Sequence, residues 1–387
     1  MIKNVRKFIN EHEQNMVSLL KKLVEINSYT GNKEGVNAVA SVIQAECEAI
    51  GLHVRRESSE QAGDNLVIET QLHKEGKKGI LMCGHMDTVF PPELGFNTFT
   101  HDDTNFYGPG VADMKCGLVE GIYVLKALDA LGLLQDMSIV FICNSDEETG
   151  SINSSELILK EARNSFVGFV LESTRAGGEL VIGRKGRMTF ELEVTGQAAH
   201  AGNVGAAKVS AILELARQIQ ALEELNDLPQ GLSVNVGKIE GGVGANTVSE
   251  KARAIVEFRY TKKDSGDKVW EAVQQLAAKP FTKGTSCTVR TITARPSMDT
   301  NDAILGLYDM IKEIGTEHGY DIQCAQCGGG SDANFISQTG IPVIDGIGPI
   351  GGKLHSVDEY LVSSTVPERA VLATLVIAKA WDLYCCK

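Results

Sequence analysis

The stretch GRMTFELEVTG, residues 186–196, alternates Met188, Phe190, Leu192 and Val194 with polar or charged neighbours, the period of a strand with one buried and one exposed face. Upstream the pattern is different. NLVIET (65–70), GILMCG (79–84), SIVFIC (138–143) and VGFVLE (167–172) are unbroken apolar runs, as strands buried on both faces require. Residues 12–26, 34–50 and 117–134 carry apolar side chains at helical spacing, the second of them ending before Gly51. This alternation predicts an α/β sheet covered by helices.

Downstream, residues 207–225 read as helix, LSVNVGKI (232–239) and ARAIVEFR (252–259) alternate again, 265–279 reads as helix, and CTVRTIT (287–293) as a last strand. The order β-α-β-β-α-β predicts a ferredoxin-like α+β unit, an antiparallel sheet with helices on one face. After Pro296 the first pattern returns, with a helix near 301–318, a Gly-rich loop at 328–330, a strand at IPVID (341–345) and a final helix near 365–384. The expected organisation is one α/β domain made of residues 1–180 and 296–387, with a smaller domain inserted at 181–295.

Composition narrows the function. The 387 residues are 43% hydrophobic and 22% charged, a balance that predicts a chain folded throughout. A formal charge of -13 opposes binding to nucleic acid or to an anionic membrane and suits a bound divalent cation. Residues 1–26 mix charges into their apolar positions, unlike a signal peptide, and no apolar run approaches the ~20 residues that span a bilayer. The expected address is the cytoplasm. Nine cysteines, an odd number in a long chain, read as reduced thiols, with Cys83 and Cys143 in the core. Cys324 and Cys327 form a C-x-x-C with no second pair to complete a zinc site.

Four segments bearing acids or histidine follow apolar strands or glycine turns: GHMDTV, GPGVADMKCG, NSDEETG and LEST; a fifth, LHSVDEY, follows PVIDGIGPIGG. In α/β sheets functional groups gather beyond the carboxyl ends of strands, so separated segments converge there. His85 and Asp87, two apart past a strand, suit a metal-bound imidazole oriented by a carboxylate; alone they read as a surface histidine beside a turn aspartate. Glu147 and Glu148 after a buried strand are costly unless metal or hydrogen bonds compensate them; alone they read as a solvated acidic turn. Asp113, preceded by glycines, suits a bridging ligand or an ordinary loop cap.

The ordered set GHMDTV, GPGVADMKCG, DEETGS, LEST, AAHAG, GGGSDANF and LHSVDEY resembles the co-catalytic zinc exopeptidase family of glutamate carboxypeptidase, acetylornithine deacetylase, succinyl-diaminopimelate desuccinylase and aminoacylase, most nearly its glutamate carboxypeptidase branch. The resemblance runs from about residue 12 to residue 380. It implies a metallopeptidase with a mixed sheet covered by helices and an inserted ferredoxin-like lid and dimerisation domain. It also implies that His85 and Glu172 hold one zinc ion, Glu148 and His355 the other, and that Asp113 bridges them and precedes a cis peptide. Cobalt or manganese would suit the same N and O donors. Glu147 would be the general base and Asp87 the support of His85.

On the inserted domain, His200 matches the family histidine that reaches the substrate carbonyl, often from the partner of a homodimer. Asn246, Arg259 and Arg295 match substrate-side positions, and a guanidinium grips a carboxylate through two hydrogen bonds; as bare sequence each arginine is an ordinary surface charge. Gly328, Gly329 and Gly330 would let backbone approach the substrate or form a flexible turn.

The implied reaction is attack of a dizinc-bound water on an amide or peptide bond next to a free carboxylate, in a small peptide or N-acyl amino acid. Release of a C-terminal amino acid such as glutamate is the expected outcome. An acetylornithine-type deacetylase or a dipeptidase is the alternative within the class, and a non-catalytic zinc-binding homologue the alternative outside it. Two departures bear on substrate choice: Asn203-Val204-Gly205 stands where many relatives continue HAG with Pro-Glu, and Ser249 stands where many have Pro.

Overall fold

The structure, a computed structural model, describes residues 1–204 and 208–385. The chain divides into two compact units: Met1–Ile182, Thr300–Gln326 and Ser331–Lys387 form the first, and Gly183–Asp299 with Cys327–Gly330 the second.

The first unit is organised on an eight-stranded mixed sheet in the order His53–Glu57, Asn65–Glu69, Ile139–Asn144, Gly79–His85, Ser165–Val170, Val343–Asp345, Leu180–Arg184 and Cys324–Cys327. The runs read as doubly buried strands are so: every residue of Asn65–Glu69, Gly79–His85 and Ile139–Asn144 is buried. Ile139–Asn144, Gly79–His85, Ser165–Val170 and Val343–Asp345 run parallel, which puts their carboxyl ends on one edge. His85 ends one of these strands, Glu147 and Glu148 follow a second, and Glu172 follows a third.

Helices cover the sheet. Ile2–Val24 begins well ahead of the expected start at 12, because Val5 and Ile9 continue its apolar stripe towards the N-terminus. Cys116–Ala130 and Thr365–Ala380 are buried on nearly every side, as befits helices packed among other helices. Asn32 and Asn301 cap Lys33–Glu48 and Asp302–Glu317 by accepting from the N–H of Gly35 and Ile304.

A second small sheet was not foreseen. Gly351–Gly352, Tyr360–Val362, Asn105–Tyr107 and Thr100–His101 pair in that order, and their brevity hides them from any periodicity test. The loop carrying His355 is strung between the first two and so is tied to the strand that leads into Asp113.

In the second unit the strands run Ser233–Gly241, Lys251–Tyr260, Gly186–Thr195 and Ser286–Arg295, which in chain order is 2-3-1-4, the ferredoxin-like arrangement. Phe190, Leu192 and Val194 form its core with Leu215 of helix Ala211–Glu223 and Val269 and Val273 of helix Lys263–Ala278. The expected start of the first of these helices, at 207, lies outside the described residues.

Cys83 and Cys143 are core residues. Cys324 and Cys327 occupy one edge strand, where residues three apart point to opposite faces. Among the described residues no helix is long and apolar enough to cross a membrane.

Candidate active site

Beyond the parallel strand ends, His85, Asp113, Glu148, Glu172 and His355 converge. The side-chain donors of His85, Asp113 and Glu148 lie within 4.8 Å of one another. Asp113 stands at the middle of the group with its two oxygens turned to different partners. Its Oδ1 is 3.1 Å from His85 Nε2, which is itself 3.6 Å from Glu172 Oε1. Its Oδ2 is 3.2 Å from His355 Nε2, which is 3.3 Å from Glu148 Oε2. The five side chains thus form two His/Glu pairs that share one carboxylate.

His85 and the turn of the two glutamates are held from behind. His85 Nδ1 lies 2.9 Å from the Asp87 carbonyl oxygen and 3.3 Å from its carboxylate, so Nδ1–H donates there and Nε2 is aimed at Asp113. The same Asp87 carboxylate accepts the backbone N–H of Glu147 at 3.1 Å and of Glu148 at 3.2 Å, and the Thr30 hydroxyl at 2.7 Å. One fully buried side chain therefore sets both the first histidine and the turn carrying the two glutamates. The Asp113–Met114 peptide is cis, and His355 has a φ of 61°, a left-handed conformation that a residue without glycine's freedom adopts at a cost.

The electrostatics are those of crowded acids. Burial raises Glu148 to about 7, with the Asp113 charge adding to it and the hydrogen bond from His355 opposing it. Burial pushes Glu172 well above the carboxylate range, with His85 opposing and Asp113 and Asp345 reinforcing. Burial acts against protonation of His85, yet Glu172, Asp113 and Asp87 outweigh it and hold the imidazole well above its usual value. Hydrogen bonds to Asp113 and Glu148 raise His355 to about 10. For Asp113 itself the upward pull of burial loses to the two histidines, which keep it well below the usual range. Protons must be retained among these groups to let them sit so close, and divalent cations relieve the same crowding. The donor set, all imidazole nitrogen and carboxylate oxygen, fits such cations.

Glu147 is half-buried, and its charge acts on both Glu148 and Glu172.

The remaining candidates belong to the second unit. His200 is exposed and pairs with Thr247 across a short ladder; its Nδ1 accepts from Gly202 N at 3.1 Å, and the Ala201 N–H donates to the Asn246 carbonyl at 2.8 Å. Arg259, Arg187 and Arg295 stand directly opposite one another on three adjacent strands. The Glu257 carboxylate accepts from Arg259 Nε at 2.7 Å and lies 4.0 Å from Arg187 Nη1. Arg259 Nη1 donates to the Gly328 carbonyl at 3.2 Å and Arg184 Nη1 to that of Gly329 at 3.1 Å. A Cβ on Gly330 would stand 2.6 Å from Arg295 Cδ, so any larger residue there would have to displace the Arg295 side chain. Like charges facing each other across a sheet cost stability, which makes the arginine row notable in a chain of net charge -13.

Arg184 and Arg187 escaped the sequence reading, although the run RKGR (184–187) in an acidic chain was a usable signal. Thr30 and Glu359 escaped it too, for want of any local signal. Glu359 accepts three backbone N–H groups beside Asp113, and nothing in sequence marks either residue's contacts.

A mixed sheet with metal-suited donors past its parallel strand ends defines a metallohydrolase. The chain belongs to Peptidase family M20/M25/M40, whose model matches residues 81–379, and is thereby a peptidase or amidohydrolase of a metal-dependent family. It is 30% identical over 371 residues to carboxypeptidase G2 of Pseudomonas sp. (strain RS-16), covering 94% of this chain and 88% of that one. It is 27% identical over 379 residues to a succinyl-diaminopimelate desuccinylase of Psychrobacter arcticus, covering 90% of each. The crystal structure of aminopeptidase PepT from Bacillus cereus shares the fold, with a TM-score of 0.75 at 24% identity over 94% of this chain and 98% of that one.

Proposed function

We propose that this protein is a dizinc hydrolase that releases an amino acid bearing a free carboxylate from a small peptide or N-acyl amino acid, in the manner of a glutamate carboxypeptidase. The observation that carries the reading is Asp113, whose two oxygens face two separate His/Glu pairs. Ligands of one tetrahedral zinc lie about 3.3 Å apart, from bonds of ~2.0 Å. The separations of 3.1 to 3.6 Å within each set agree with that. Zinc bound there supplies the Lewis acidity that activates the attacking water and polarises the amide carbonyl.

The chain's own groups do the rest. Glu147 takes a proton from the attacking water and delivers it to the leaving amine. Asp87 keeps His85 in the tautomer whose Nε2 faces inward. His200 donates to the developing oxyanion, and Arg259, Arg295 and Asn246, with the backbone at Gly329 and Gly330, hold the free carboxylate. The second unit acts as lid and as dimerisation domain. The edge strand Ser233–Gly241 exposes Ile239, and Val243 beyond it is 90% exposed, which supports pairing with a second copy there.

The test is metal analysis of the purified protein with hydrolysis of a panel of peptidyl and N-acyl amino acids before and after chelation. Close to two zinc per chain, with activity lost on chelation and regained with zinc, is expected. A metal-free chain whose hydrolysis ignores the chelator overturns the proposal. The best substrate separates a carboxypeptidase from an acetylornithine-type deacetylase or a dipeptidase.

A further inference from the structure

Glu359 lies four residues after His355, on the same loop, and is 0% exposed. Its Oε1 accepts the backbone N–H of Ala112 at 2.8 Å and of Asp113 at 2.9 Å, and its Oε2 accepts that of Gly110 at 3.0 Å. All three donors belong to the short segment that delivers Asp113. That segment turns through Gly110 at a φ of 72°, and its N–H groups find no partner in a regular helix. Behind it the buried Lys115 Nζ donates to the Ile26 carbonyl at 3.0 Å, anchoring the far end of the segment. A carboxylate with three charge-assisted hydrogen bonds is a stiff connection.

From this geometry we infer that Glu359 is a positioning residue: it locks the backbone of Asp113 to the loop of His355, fixing the spacing of the His355–Asp113–Glu148 set for its cation. The inference rests on reading the cluster as a two-cation centre. A glutamine at this position cannot reproduce the arrangement. Its amide nitrogen would face either the Gly110 N–H or the pair from Ala112 and Asp113, donor against donor.

The experiment is titration of the metal-free full chain with cobalt(II), followed by visible absorption, on the wild type, Glu359→Gln and Glu359→Asp; the last keeps the charge but shortens the reach and serves if the glutamine variant does not fold. Two binding steps are expected in the wild type. In a folded variant, one step should weaken about tenfold or more, as loss of a group that orients a metal ligand does, while the other stays within about twofold. On the zinc-loaded variant kcat should fall with KM unchanged. A lower melting temperature with both cobalt steps intact, or an equal loss at both, overturns the inference and leaves the metal centre standing. Fewer than two steps in the wild type overturns the two-cation reading itself, and this inference with it.

Discussion

Glu147 and Glu148 are neighbours in the chain yet have different surroundings. The Glu148 carboxylate is buried against His355, and burial raises it to about 7. Glu147 remains half-buried beside the cluster, and the Asp87 carboxylate holds the backbone N–H of both. Glu148 is committed to His355, so in the proposed reaction the group that binds and releases a proton in each turnover is Glu147. Glu147→Gln should therefore keep the wild-type metal content and nearly the wild-type KM while kcat falls by roughly 10²- to 10⁴-fold, the usual worth of a positioned acid–base group. Metal analysis beside steady-state kinetics checks this, and a wild-type kcat removes Glu147 as the base. At this scale the sequence marked the segments that converge, because each follows a strand end or a glycine turn, while the assignment of particular donors came from the family resemblance. It was silent on Thr30 and Glu359 because they act through hydrogen bonds to residues 57 and about 250 positions away, which no local pattern records.

Among the elements, the apolar strands and long helices were legible, since burial on both faces or along a stripe leaves a period in the chain. The strand His53–Glu57, written HVRRE, was not, because charges occupy it; Arg55 pairs with Glu69 and, at 2.6 Å, with Glu161. Edge strands carry such charges as a matter of course. The helix Cys116–Ala130 presents the reverse case, an apolar element with one acid inside. Glu120 is fully buried and neither of its carboxylate oxygens has a hydrogen-bond partner. Burial pushes its pKa well above the carboxylate range, only partly offset by the charge of Arg369 on helix Thr365–Ala380. In the unfolded chain this side chain ionises near ~4.3. From there upward the unfolded state gives up a proton that the folded state keeps, so stability is highest below that pH and falls by about 1.4 kcal/mol per unit until the folded pKa is passed. Glu120→Gln cannot ionise. It should gain on the wild type as pH rises from 5 to 8, a widening gap that denaturant melts at several pH values would measure. Parallel profiles would mean that Glu120 is ionised in the fold, with Arg369 as its counter-charge.

For the whole molecule, the residues of the proposed mechanism are distributed between two units, with His85, Asp113, Glu147, Glu148, Glu172 and His355 on the first and His200, Asn246, Arg259 and Arg295 on the second. Under the proposed function a catalytic centre can be completed by a second copy of the chain, and the edge strand Ser233–Gly241 with exposed Ile239 is the surface proposed for that pairing. If His200 serves the partner's centre, a chain lacking Glu147 and a chain lacking His200 have complementary defects. His200→Ala and Glu147→Gln should each be nearly inactive as pure proteins. Refolded together at equal concentration, half of the dimers are mixed, and each mixed dimer holds one centre with an intact Glu147 and an intact partner histidine. Activity should then return to about a quarter of the wild type. Native mass spectrometry counts the mixed dimers independently of activity. Mixed dimers without recovery would assign His200 to its own chain's centre, and a monomer at all concentrations would remove the partner from the reaction altogether.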